Sequence, residues 1–282
     1  MFRRIGVIGS GTMGAGIAQV AAQAGFDVVL LDTTIDRSQA GLNRIENALR
    51  RLSEKGKISE ADADTFVARV TPAADIAVLA GASLVIEAVF EDLATKRGVI
   101  EAVSDVMEAN TVFATNTSSI SITQLASFHP QPDCVVGMHF FNPVPLMPLV
   151  ELIRAEQSSQ ESVDLVQATA TTMGKTVVEV SDVPGFVANR IMMPMINEAI
   201  LCLEGGVASR EAIDETLKLG ANHPMGPLAL GDLIGLDVVL SIMEVLHRDL
   251  GEDKYRPAVT LRRMVAAGKL GRKSGEGFYV YS

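Results

Sequence analysis

The sequence predicts an α/β fold: an N-terminal, doubly wound sheet followed by an all-helical C-terminal domain. Two observations predict this fold class. Apolar runs of strand length alternate with helical patterns throughout residues 1–185, as in parallel sheets whose faces are covered by helices. From residue 186 onward, helical patterns continue until the short run Phe278–Val280. We therefore predict a sheet domain at residues 1–185 and a helical domain at residues 186–282.

The run from Ile5 to Asp32 contains the first complete unit of the predicted sheet. Its apolar segments Ile5–Ile8 and Phe26–Leu31 predict two buried strands, and an alanine-rich helical stretch lies between them. A GxGxxG turn between a strand and a helix permits a tight bend and a close approach of a pyrophosphate to the backbone. The sequence therefore predicts a Rossmann-type dinucleotide site in the turn formed by Gly9, Ser10, Gly11, Thr12, Met13 and Gly14.

Asp32 ends the second predicted strand and is expected to accept hydrogen bonds from the adenosine ribose of the dinucleotide. A carboxylate at this place repels a 2′-phosphate, so we predict NAD rather than NADP as the cofactor. The nearby Thr33, Thr34 and Arg37 leave the strength of that preference open.

Polar residues follow directly after the predicted strand TVFAT. Ligands of open parallel sheets bind beyond the carboxyl ends of the strands. We therefore predict that Asn116 and Ser118 face the nicotinamide side of the cleft. The same residues are also typical of a helix N-cap, and Thr117 or Ser119 is then expected to cap a helix at residues 120–127.

His139 is the one histidine of four that ends a predicted strand at the presumed cofactor cleft. An imidazole can accept a proton from an alcohol near neutral pH, which oxidation of a secondary alcohol requires. Glu151 is the only charged residue in the apolar run LVELI, on the next predicted strand. A carboxylate in such a run needs a partner, and we predict that it is His139. A purely structural hydrogen bond between them is the alternative.

Composition and charge narrow the possible partners. The 282 residues are 48% hydrophobic and 21% charged, with a net charge of −10, which disfavours binding to nucleic acid. Cys134 and Cys202 lack metal-ligand spacing, so we predict reduced thiols and no metal site.

The apolar runs are interrupted by glycine or charge, and the basic segment Met1–Arg4 leads directly into a predicted strand. We therefore expect no membrane segment and no removable signal, and a cytoplasmic protein.

Motifs in order along the whole chain identify it as similar to the 3-hydroxyacyl-CoA dehydrogenase family, and within it to bacterial 3-hydroxybutyryl-CoA dehydrogenases. These motifs are VIGSGTMGAGIAQ, LVIEAVFE, ATNTSSISIT, GMHFFNPVP, LVELI, PGFVANRI, KLGANHPMGPLALGD and LGRKSGEGFY. The resemblance implies NAD-dependent interconversion of (S)-3-hydroxybutyryl-CoA and acetoacetyl-CoA. One departure is Pro148, where family members often carry a lysine before the LVE motif.

The resemblance also implies roles for individual residues. His139 is the general base or acid and Glu151 its partner, while Ser118 and Asn189 support the substrate oxygen or the catalytic histidine. Lys55, at a basic helix end that is otherwise read as a solvated surface, is implied to contact CoA. Besides the glycine turn, the implied cofactor residues are Asp32, Glu91, Lys96, Asn116, Ser118, Asn142 and Lys273.

Three alternative functions also fit the predicted fold. They are a related dehydrogenase of 3-hydroxyadipyl-CoA, one of L-gulonate, and an NAD-binding protein without catalysis. The last of these is expected to have lost one of the catalytic residues, and all of them are present. The helices after residue 185 are richer in Met and Leu than so small a domain needs, which predicts a homodimer through the C-terminal domain.

Overall fold

The structure, a computed structural model, describes residues 4–281; residues 1–3, on which the signal-sequence prediction partly rests, and residue 282 lie outside the described residues. The chain divides into two units, the first ending at Asp182 and the second beginning at Val183. In the described residues no helix is both long and apolar enough to cross a membrane.

The first unit is built on one sheet whose inner strands are buried on both faces, whereas the edge strand β8 is largely exposed. Its strands are β1 (Arg4–Ile8), β2 (Asp27–Leu31), β3 (Val70–Ala73), β4 (Leu84–Glu87), β5 (Val112–Thr115), β6 (Val135–Phe140), β7 (Leu149–Arg154) and β8 (Thr176–Ser181). Its helices are α1 (Thr12–Gln23), α2 (Ile35–Glu54), α3 (Glu60–Ala68), α4 (Leu93–Ser104), α5 (Ile122–Ala126) and α6 (Gln160–Thr172).

The strand order is β3-β2-β1-β4-β5-β6-β7-β8. The first six strands run parallel, β7 is antiparallel to β6, and β8 is parallel to β7. The chain reverses its winding direction between β1 and β4, which is where doubly wound sheets bind ligands. The predicted Rossmann-type sheet is therefore confirmed, and its carboxyl edge positions the candidate site.

Two features of the first unit depart from the local sequence pattern. Pro72 disfavours a strand, yet it lies in β3, at the sheet edge, where a missing N–H donor is tolerated. The helix predicted at residues 120–127 is the shorter α5, and its N-cap is Ser121 rather than Thr117 or Ser119. The carboxylate of Asp182 accepts hydrogen bonds from Ile122 N (3.0 Å) and Thr123 N (2.7 Å) and so satisfies the first turn of α5.

The second unit is helical over its described residues apart from two isolated β-bridges at Glu276. Asp214 accepts hydrogen bonds from Leu228 N and Ala229 N, and Asp232 accepts them from Phe278 N. These buried carboxylates fix the start of one helix and the C-terminal segment. The helices are α7 (Ala188–Glu204), α8 (Arg210–Gly220), α9 (Pro227–Ile234), α10 (Leu236–Leu250) and α11 (Val259–Ala266).

The helical stretch from Gly226 to Leu250 is interrupted once. The stretch divides into α9 and α10 at Gly235, whose φ of 104° lies outside the helical region. Only glycine adopts such a conformation without strain. The helical character predicted for the second unit is nevertheless confirmed.

Candidate active site

The glycine turn between β1 and α1 closes tightly on itself but leaves its outer side open. A Cβ atom added to Gly14 would lie 1.7 Å from Gly9 O, and one added to Gly9 would lie 2.5 Å from Ala88 O. A Cβ at Gly11 would meet no atom within 4 Å. Gly11 is also the N-cap of α1, and it supplies no side-chain hydrogen bond there. The exposed backbone and the uncapped helix N-terminus fit a bound pyrophosphate.

Asp32 lies beyond the end of β2 and is held in place by the neighbouring turn. Its Oδ2 accepts hydrogen bonds from Ser10 N (2.8 Å) and Ser10 Oγ (2.7 Å), and its Oδ1 accepts one from Thr33 N (2.8 Å). Burial alone would raise the pKa of Asp32, but the hydrogen bonds from Ser10 and Thr33 together lower it below its usual value. Asp32 is therefore ionised near neutral pH. The Arg37 guanidinium lies 3.9 Å away and is largely exposed.

A buried ion pair lies at the carboxyl end of β4. Lys96 Nζ donates to Glu87 Oε1 at 2.7 Å and to Oε2 at 2.9 Å, and both residues are almost fully buried. Glu87 also accepts a hydrogen bond from Thr115 Oγ1 (2.7 Å). Lys96 further lies 3.3 Å from Glu91 Oε2. Because two carboxylates surround the Lys96 ammonium, its position is fixed within the protein, and it holds β4, β5 and α4 together.

Glu91 organises the loop that contains Ser118. Its Oε1 accepts hydrogen bonds from Ser118 N (2.7 Å), Ser119 N (3.0 Å) and Thr117 Oγ1 (2.6 Å). Burial would raise the pKa of Glu91, but the charge of Lys96 and these hydrogen bonds lower it. The predicted residues Glu91, Lys96 and Ser118 are thus brought into one network.

Asn116 joins this loop to the next strand, because its Oδ1 accepts a hydrogen bond from Phe140 N at 2.8 Å. Asn116 follows β5 and lies beside the carboxyl end of β6, where His139 is found. The residues predicted at these two strand ends therefore lie at the same edge of the sheet.

His139 and Glu151 face each other across the antiparallel pair β6 and β7. His139 Nδ1 and Glu151 Oε2 are 2.8 Å apart, and the residues are 7% and 2% exposed. With a carboxylate as the acceptor, Nδ1 carries the proton, so in the neutral form of the ring the lone pair is on Nε2. The ring of Phe141 packs against the imidazole, with centroids 4.7 Å apart. This arrangement can orient an imidazole and stabilise its protonated form.

The other predicted residues are more dispersed. Asn142 is exposed in the loop after β6, and Lys55 is exposed directly after α2. Asn189 is buried in the first turn of α7, in the second unit. Lys273, also in the second unit, is ion-paired with Asp237 at 2.5 Å.

The other basic side chains near Lys55 differ in whether neighbouring acids neutralise them. Arg50 lies 2.7 Å from Asp64 and 3.7 Å from both Glu46 and Glu60, so neighbouring acids offset its charge. Arg51 and Lys57 are exposed.

Sequence reasoning did not recognise Glu87 as the centre of a buried network. Its signal was present, because Glu87 is a carboxylate at the end of the apolar run SLVIEA, as Glu151 is in LVELI. The role of Lys175, described below, had no comparable signal.

Comparison with known proteins identifies the family of both units. The 3-hydroxyacyl-CoA dehydrogenase, NAD binding domain, matches residues 4–183, and the 3-hydroxyacyl-CoA dehydrogenase, C-terminal domain, matches residues 185–281. Together the two matches span nearly the whole chain.

Individual relatives are similar to this chain over nearly their full lengths. A probable 3-hydroxybutyryl-CoA dehydrogenase of Deinococcus radiodurans is 52% identical, with 99% of this chain and 100% of that protein covered. The 3-hydroxybutyryl-CoA dehydrogenase of Clostridioides difficile is 48% identical, with 99% of each chain covered. The crystal structure of (S)-3-hydroxybutyryl-CoA dehydrogenase from Ralstonia eutropha has a TM-score of 0.98 and 48% identity, with 100% of each chain covered. The chain therefore belongs to the 3-hydroxyacyl-CoA dehydrogenase family and is an NAD-dependent dehydrogenase.

Proposed function

We propose that the protein interconverts (S)-3-hydroxybutyryl-CoA and acetoacetyl-CoA. The observation that carries this proposal is the buried hydrogen bond between His139 and Glu151 at the edge of the sheet that also bears the glycine turn. A general base for alcohol oxidation needs a lone pair and a group that stabilises the proton it accepts. The names of the relatives supply the substrate.

In this mechanism His139 removes the hydroxyl proton through Nε2 during oxidation and returns it during reduction. Glu151 keeps the ring oriented and stabilises the imidazolium as it forms. Ser118 hydrogen-bonds the substrate oxygen, from a loop whose main chain is held by Glu91. When bound, NAD supplies the hydride acceptor and NADH the hydride donor. The protein contributes position and charge stabilisation.

The binding roles of the remaining residues belong to the same proposal. The turn from Gly9 to Gly14 and Asp32 bind the pyrophosphate and the adenosine ribose. Lys55 contacts a phosphate of CoA, because an exposed ammonium can pair with a phosphate group. The resemblance is the support for substrate binding by Asn189 and for cofactor binding by Asn142, Lys273 and the Glu91–Lys96 pair.

The test is NADH oxidation with acetoacetyl-CoA as the substrate. We expect His139→Ala to lose about three orders of magnitude or more in kcat while its NADH affinity stays near that of the wild type. His247→Gln is the matched control, since His247 lies on α10 in the second unit, and it should retain full activity. Turnover by His139→Ala near the wild-type rate would show that another group is the base. Faster reduction of a dicarboxylic 3-ketoacyl-CoA would instead favour the 3-hydroxyadipyl-CoA alternative.

We also propose that the protein is a homodimer and acts in the cytoplasm. The second unit has several large apolar side chains exposed on its helices, and such residues suit a subunit interface. They include Ile191, Leu219, Leu233 and Val259. Light scattering coupled to size-exclusion chromatography tests the assembly. A monomeric mass for the wild type would contradict it, and Ile191→Glu is expected to weaken a dimer.

A further inference from the structure

Lys175 is a buried cation to which the proposed mechanism gives no role. It lies between α6 and β8, and only 8% of its surface is exposed. Burial lowers the pKa of Lys175 below its usual value. In the described part of the chain it forms no salt bridge, in contrast to Lys96 with Glu87. A buried ammonium without a carboxylate partner is costly, so its hydrogen bonds need an explanation.

Both described hydrogen bonds of the Lys175 ammonium go to main-chain carbonyls of one loop. Lys175 Nζ donates to Val144 O at 2.5 Å and to Met147 O at 2.8 Å. The next residue, Thr176, donates its N–H to Pro148 O at 2.7 Å. The start of β8 is therefore fastened to the loop at three carbonyl groups.

This loop, residues 141–148, connects the strand of His139 to the strand of Glu151. At its beginning, Phe141 packs on the imidazole of His139. Further along the loop, Val144 is 2% exposed and packs closely on α1. A Cβ atom added to Gly16 of α1 would lie 2.9 Å from the Cβ atom of Val144. The loop thus contacts both the candidate base and the helix that begins at the glycine turn.

The loop has little regular structure of its own. Leu146 N and Met147 N both donate to Pro143 O, at 2.9 and 3.0 Å, and the side chain of Leu146 is 75% exposed. Apolar packing of Val144 fixes the loop at a single point. The two hydrogen bonds of the Lys175 ammonium fix the main chain at residues 144 and 147, on either side of the exposed Leu146.

We propose that Lys175 is a positioning residue for the active site, and that its ammonium holds the loop 141–148 so that Phe141 fixes the imidazole of His139 and Asn142 faces the cofactor. This inference rests on the proposed function, because that function gives His139 and Asn142 their roles. A charged donor suits the task, since hydrogen bonds from an ammonium to carbonyl groups are stronger than those from a neutral amide.

Lys175→Met tests the inference, because methionine retains most of the apolar stem and lacks the donor. NADH affinity is measured by fluorescence titration, and kcat is expressed per NADH-binding site so that unfolded protein does not contribute. We expect kcat to fall by about tenfold or more and the Kd for NADH to rise by about fivefold or more. The KM for acetoacetyl-CoA should change by less than about threefold. Lys218→Met, at an exposed lysine of the second unit, is the matched control and should match the wild type.

A purely structural role for Lys175 predicts a different result. Lys175→Met would then lower the Tm, while the folded fraction would retain the kcat and NADH affinity of the wild type. Changes below about threefold in both quantities overturn the inference whatever happens to the Tm, and a larger change in either supports it. If Lys175→Met does not fold, Lys175→Gln is measured against the same thresholds. If the wild type binds NADH without reducing acetoacetyl-CoA, the proposed function fails, and NADH affinity alone still tests the loop.

Discussion

Replacing Glu151 by glutamine is expected to isolate the electrostatic contribution of the His139–Glu151 pair. The substitution keeps the size of the side chain and an oxygen that can accept the hydrogen bond from Nδ1, but removes the negative charge. The two groups are 2.8 Å apart and buried, and unit charges centred about 4 Å apart interact by about 4 kcal/mol at an effective dielectric constant of about 20. Part of that energy also stabilises the ground state, so we expect kcat to fall by about one hundredfold to about one thousandfold.

The assay is NADH oxidation at saturating acetoacetyl-CoA, with NADH affinity measured separately. Glu179→Gln is the matched control, because Glu179 lies on the neighbouring strand β8 and forms an exposed ion pair with Arg154 at 2.8 Å. Such pairs contribute about 1 kcal/mol or less, and Glu179 lies outside the proposed machinery. We expect the control to stay within about twofold of the wild type. A kcat for Glu151→Gln equally close to the wild type would refute the charge argument, even if His139 remained essential.

Three further predictions concern the glycine turn, the acid after β2 and a buried histidine. Gly11→Ala should leave the Tm nearly unchanged but weaken NADH binding by about tenfold or more, whereas Gly14→Ala, with its Cβ 1.7 Å from Gly9 O, should lower both the Tm and the affinity. Asp32→Ala should lower kcat/KM with NAD by about tenfold and narrow the preference over NADP. Burial lowers the pKa of His129 below 6.5, so protonation favours the unfolded chain. The free energy of unfolding should therefore fall as the pH drops below about 6.5, by at most about 1.4 kcal/mol per pH unit.

Each of these predictions has a simple check. Thermal unfolding and NADH fluorescence separate the two glycine variants, and equal NADH affinity in Gly11→Ala and the wild type would contradict a close approach of the pyrophosphate. Steady-state kinetics with both cofactors test Asp32, where a strong preference for NADP in the wild type would reverse our interpretation. Urea unfolding at several pH values tests His129. If His129→Gln showed the same acid sensitivity as the wild type, another group would be responsible.

Local sequence predicted the sheet because its strands and turns have local causes. The strand, GxGxxG turn, helix and second strand all follow from neighbouring residues, and β1, α1 and β2 occur where the pattern places them. The proximity of His139 and Glu151 was also predictable. A carboxylate alone in an apolar strand needs a partner, and the neighbouring predicted strand offered a polar residue at its end.

The errors come from causes that are distant in the sequence or depend on tertiary position. Pro72 argues against a strand unless that strand is known to lie at the edge of the sheet. The N-terminus of α5 is set by Asp182, about sixty residues later in the chain. The helix α6 went unpredicted because its pattern of small and polar residues has weak periodicity, with a buried face formed by residues such as Val163, Val166 and Ala170.

Three elements around the candidate site are held in the same physical way. Glu91 binds main-chain amides of residues 118 and 119, Asp182 binds those of residues 122 and 123, and Lys175 binds carbonyls of residues 144 and 147. In each case one charged side chain satisfies two main-chain groups, and so helps to fix the backbone path of the segment that bears them. Main-chain partners do not depend on the identity of the residues that bear them. The side chains in these segments can therefore be chosen for binding or chemistry, while a single charge from another element maintains the backbone path.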